Sequence, residues 1–106
     1  MIEQVASWDE SLAAYVADLD PAVIDGRDAL ELVLHHVRME KLNSAAKTVL
    51  LQRVAETRTW GHRGDRSMAH WLAREAGIGL GEAMTTVDTA ARLEECPATE
   101  AALRAG

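Results

Sequence analysis

The sequence predicts an all-α fold, an irregular or orthogonal helical bundle around one long central helix, with a helix-turn-helix-like hairpin near the C-terminus. Three observations lead there. Ala and Leu dominate a composition that is 48% hydrophobic, and both residues lose little side-chain freedom in a helix. Apolar residues recur at helical spacing, and no run alternates with period two. Helix-stopping signals are few, with two prolines and seven glycines in 106 residues. That length suits one domain, so residues 1–106 are read as a single helical domain.

The first helix is expected over residues 7–19. Ser7-Trp8-Asp9-Glu10 fits the S-x-x-E capping box, in which Ser and Glu satisfy each other's free backbone N–H groups. Leu12, Tyr15, Val16 and Leu19 follow as one stripe, and Asp20-Pro21 closes it, because a residue before proline is pushed out of the helical region. Pro21 to Ile24 fits one short turn.

Asp25 is the expected N-cap of the long helix, residues 27–59, with Asp28 near its positive end. No Gly or Pro occurs from Arg27 to Trp60. Leu30, Val33, Leu34 and Val37 make one stripe. Leu32, Met39, Leu42, Ala46 and Val49 lie on another, spaced by sevens and threes. A helix apolar on two faces must cover both. Either the chain's own helices do so, or one face belongs to a partner; Leu32, Met39, Leu42, Ala46 and Val49 are the candidate partner face. His35 interrupts the heptad spacing, which argues against a long regular coiled coil.

Trp60 to Asp65, with two glycines, reads as a loop. Residues 67–95 read as a helical hairpin: a helix from Ser67 to Ala76, a Gly77-Ile78-Gly79 turn, and a helix from Leu80 that stops before Pro97. A short terminal helix is expected over 98–105. Gly106, a helix-stopping residue with nothing after it, reads as a boundary inside a longer protein.

Charge and residue chemistry narrow the function. The formal net charge is −6, −4 in residues 1–60 and −2 in residues 61–106, so no half of the chain is basic. Nucleic-acid affinity rests on phosphate neutralisation by Lys and Arg, and weak or indirect DNA binding is the expectation. Cys96 stands alone, so no internal disulfide forms, which suits a reducing compartment. No signal peptide and no stretch of ~20 apolar residues occurs. The expected location is the cytoplasm, away from membranes.

Catalytic chemistry has little to stand on. His35 and His36 are adjacent, so on a helix they diverge by roughly 100° and cannot grip one metal together. His62 and His70 have no cysteine pair in support. Ser67 precedes His70 closely but is better explained as a helix cap than as a nucleophile. Gly77, Gly79 and Gly81 follow no strand, so they read as turn glycines and not as a phosphate cradle. The expectation is no catalytic residue, no metal and no cofactor in this chain. The hairpin resembles a helix-turn-helix, yet its second helix leads with Leu80, Gly81, Glu82, Met84, Thr85, Thr86 and Asp88, where base-reading helices present Arg, Lys, Asn or Gln. If DNA is contacted, Arg63, Arg66 and Arg74 around the loop are the candidates.

These residues also form a pattern. Gly64-x-x-Ser67-x-Ala69-x-Trp71-Leu72-Ala73, Gly77-Ile78-x-x-Gly81-Glu82-Ala83, Ala90-x-Arg92-Leu93 and Pro97-Ala98-Thr99-x-x-Ala102-Leu103-x-x-Gly106 resemble domain-of-unknown-function family 222, the actinobacterial 13E12-repeat proteins. The end of the long helix, Leu51-x-x-Val54-Ala55-Glu56, is similar too, and the resemblance covers roughly residues 26–106. It implies a helical region preceding a C-terminal HNH endonuclease domain, whose ββα metal unit has no counterpart here. No catalytic residue of that family maps onto this chain. The implied role is a non-catalytic accessory domain that organises the nuclease by self-association or by docking on the missing C-terminal part. A DNA-binding module and a free-standing interaction protein are the alternatives.

Overall fold

Five α-helices and three single 3₁₀ turns make up the chain, with no strand; the computed structural model describes residues 1–106. The chain is all-α, as expected. Its contacts cluster in two compact units, Met1–His35 and His36–Gly106, within what the sequence reads as a single helical domain.

In the first unit, α1 spans Ile2–Asp18. It begins five residues before the expected Ser7. The capping box does not form, because nothing in Ile2–Ala6 breaks a helix, and propagation through a competent segment costs less than starting a new nucleus. The Val5 N–H donates to the Met1 carbonyl at 3.1 Å, which closes the first turn. Leu19 leaves the helix with extended backbone. A 3₁₀ turn at Pro21–Val23 follows, its Asp20 side chain accepting from the Ala22 N–H at 3.0 Å. The Asp25 carboxylate then accepts from the Arg27 N–H at 3.2 Å and starts α2, Gly26–Thr57. No residue of α1 is buried.

The second unit holds the core. Along the C-terminal part of α2, Ala45, Thr48 and Leu51 are buried, and the Thr48 hydroxyl is satisfied by the Ser44 carbonyl at 2.8 Å. Thr57 ends α2, two residues earlier than expected, because Arg58 takes a left-handed conformation (φ 54°). A 3₁₀ turn, Thr59–Arg63, follows.

Helix α3 spans Met68–Ala76. Ser67 caps it as expected, its Oγ accepting from the His70 N–H at 3.2 Å. Gly77, at φ 66°, closes it, and the Ile78 N–H reaches back to the Ala73 carbonyl at 3.2 Å. This is a Schellman-type ending, which needs a left-handed residue that glycine supplies without a Cβ clash. Helix α4, Leu80–Arg92, starts at Gly79. Leu51, Met68, Ala69, Leu72, Ala83 and Ala90 form one cluster, with Trp60, Trp71, Ile78 and Val87 packed against it. Ala83 and Ala90, two turns apart, are almost wholly covered, and such small residues let helix backbones approach closely. A 3₁₀ turn at Leu93–Glu95 buries Leu93, and α5 spans Pro97–Ala105. Proline fits that first helical position, one earlier than expected, because its missing N–H would be unpaired there anyway.

Candidate functional site

The five residues of the candidate partner face divide by exposure. On the first unit, Leu32 is 37% exposed. On the second, Met39 is 42% exposed and Ala46 is exposed, whereas Leu42 and Val49 are half-covered. Helical geometry explains the division. Leu42, Ala45 and Val49 follow one another at three- and four-residue steps and share the side that faces the core. Ala46 is one residue, or about 100°, round the helix from Ala45, and Leu32, Met39 and Ala46 repeat every seven residues along that other side. The C-terminal end of α5 shelters Leu42: the position a Cβ would take on Gly106 lies 3.6 Å from Leu42 Cδ2.

The arginines around the loop are largely committed to carboxylates. Arg74 donates to Asp65 Oδ1 at 3.0 Å and to Glu75 Oε1 at 3.1 Å. Arg63 lies 3.8 Å from the same Glu75 oxygen. The structure therefore gathers Arg63 and Arg74 around two acids, with no net charge in the cluster, and leaves Arg66 unpaired. The Asp65 side chain is 11% exposed, and its second oxygen, Oδ2, is buried without a partner. The nine-residue separation of Asp65 and Arg74 spans a loop and a helix start, so no periodicity in the sequence reveals the pair.

The leading residues of α4 carry no basic group. Leu80, Gly81, Glu82, Met84, Thr85 and Asp88 are exposed, and Thr86 is half-buried. The hydroxyls of Thr85, Thr86 and Thr89 donate to carbonyls four residues back, so they serve their own helix. Of the alternating glycines, only Gly77 has a left-handed backbone, and a Cβ on any of the three would meet nothing within 4 Å.

Among the histidines, His35 and His62 are exposed and His36 is half-buried. His70 Nδ1 lies 2.7 Å from the Ser67 hydroxyl, which already serves as the helix cap. No three His, Cys, Asp or Glu side chains converge on a common point. A shallow groove lined by Gln52, Glu56, Met68, Val87, Ala90 and Glu94 contains one buried donor without a partner, Gln52 Nε2. Cys96 is exposed and unbonded. No helix is long and apolar enough to cross a membrane.

The two units differ sharply in charge. Residues 1–35 carry eight acidic side chains against a single Arg27, a formal charge of −7; residues 36–106 carry ten basic against nine acidic, a charge of +1. Division at residue 60 averages the two. Only the unit boundary, a property of contacts, puts the cut where the charge changes. Comparisons with protein-family models, with curated proteins and with solved structures return no match to this chain.

Proposed function

We propose that this chain is a non-catalytic helical accessory module that works by binding other polypeptide surfaces, within a longer protein of the HNH-nuclease kind that the resemblance to domain-of-unknown-function family 222 implies. One observation carries the reading. The first unit leaves Trp8, Leu12, Val16, Leu30, Val33 and Leu34 exposed. Single apolar residues on a surface are ordinary, but runs of them on one helix face, Trp8–Leu12–Val16 on α1 and Leu30–Val33–Leu34 on α2, favour an interaction role. The ion pairs of Arg63 and Arg74 weigh against DNA binding, since a guanidinium already neutralised by a carboxylate releases fewer counterions from phosphate.

The second unit is nearly neutral, so its part of the candidate partner face suits contact with a second copy. Light scattering over a range of protein concentrations tests this. The wild-type chain is expected to gain mass with concentration, and Met39→Asp is expected to abolish that gain while the helical circular-dichroism signal persists. Met39 is the better probe than Leu42, whose substitution also disturbs packing against the end of α5. A strictly monomeric wild-type chain, unchanged by Met39→Asp, would remove the self-association arm of the proposal.

A further inference from the structure

From its first unit we infer a second and different docking surface: α1 receives a basic amphipathic helix of another polypeptide. The inference rests on the reading of this chain as a polypeptide-binding module and names the chemistry of one partner.

The surface begins with spacing. Val5, Trp8, Leu12 and Tyr15 follow one another along α1 at steps of three, four and three, the a and d positions of a heptad. The same register reaches Leu19 at the C-cap. Trp8 is 61% exposed and Leu12 is 43% exposed. A 17-residue helix with nothing buried lacks the tertiary packing from which most helical stability in proteins comes. Val5, Trp8 and Leu12 form an open apolar stretch that ends at the half-buried Tyr15, and such a stretch is what a helix-binding surface presents.

Charge selects the occupant. Every charged side chain of α1 is acidic: Glu3, Asp9, Glu10 and Asp18. In the heptad register Asp9 and Asp18 fall on the e and g positions that border the seam on either side, where paired helices choose partners by charge. A helix with apolar a and d residues and Lys or Arg at e and g meets both features. A second copy of this chain does not, because it would bring −7 against −7 at close range, and like charges across an interface select against a partner. Nucleic acid and anionic lipid are repelled for the same reason.

The test uses the whole chain, labelled with ¹⁵N, and a synthetic three-heptad peptide with Leu at a and d and Lys at e and g. Saturable binding is expected, with amide shifts concentrated in residues 1–35 and affinity at least tenfold weaker in 0.5 M than in 0.05 M salt, because the steering charges are screened. Leu12→Gln, which adds no charge, and the double variant Asp9→Lys with Asp18→Lys should each weaken binding at least tenfold while circular dichroism shows the fold intact. A matched peptide with Glu at e and g should not bind. The inference is overturned if the Lys peptide leaves residues 1–35 unshifted at millimolar concentration, or if both peptides bind equally. If the chain instead dimerises and Leu12→Gln makes it monomeric, the occupant is a second copy; this inference then fails while the association reading stands. If the chain binds no peptide and stays monomeric throughout, both fail.

Discussion

The two units use the same helix-forming residues to opposite ends. In His36–Gly106, Leu51, Leu72 and Leu93 are 3%, 4% and 1% exposed, and small alanines let α4 approach its neighbours. In Met1–His35, leucines of the same kind remain open and nothing is buried in α1. One unit invests its apolar surface in its own core and the other leaves it uncovered. The difference shows that an amphipathic stripe states only that a helix has a face to cover. What covers it depends on the rest of the chain, and on other chains.

The largest expected effect tests that contrast with one chemical change in two places. Leu72→Ala should cost about 2–5 kcal/mol, the range for emptying a packed leucine site, whereas Leu12→Ala should stay within about 0.5 kcal/mol, as at an ordinary surface position. Urea denaturation of both variants measures the pair. Equal losses would mean that α1 is packed after all, and the comparison would fail.

A smaller effect concerns the polar clamp of the second unit. Arg74→Ala should cost about 1–3 kcal/mol, because it strands the nearly buried Asp65 carboxylate without its donor. Arg74→Ala combined with Asp65→Ala should recover part of that loss in the same denaturation experiment. Failure to recover any would assign the cost to the aliphatic part of Arg74 rather than to the stranded acid.

The smallest effect is a gain. Arg58 sits in a left-handed conformation, which costs a residue with a Cβ about 1–2 kcal/mol. Arg58→Gly should therefore stabilise the second unit, by about 0.5 kcal/mol once the greater freedom of glycine in the unfolded chain offsets part of the relief. A rise in the urea midpoint with unchanged slope would show it.

Which of these features could be read from the sequence follows from how local they are. Ser67 as a cap and Gly77 as a helix stop depend on residues within one turn, and both stand in the sequence. The capping box at Ser7 is equally local, yet it is overridden, since a helix already running through Ile2–Ala6 leaves no free N–H groups there to cap. The pairing of Asp65 with Arg74 depends on where a loop returns, and the split of the candidate partner face depends on where α5 ends. Neither follows from spacing. The acidic character of the first unit was present in the letters, but it becomes a site only when the contacts show where that unit stops and which of its apolar residues stay open.

The tryptophans give the chain a built-in optical readout of this division. Trp8 stands by itself in the first unit, largely in water, while Trp60 and Trp71 pack against the core of the second. Their emission should separate accordingly: a red-shifted component accessible to acrylamide from Trp8, and a bluer, protected component from the other two. A helix settling over the α1 seam would move the first component and leave the second in place. Loss of the core would move the second. Occupancy and unfolding thus have separate spectral signatures in the unmodified protein, without any attached dye.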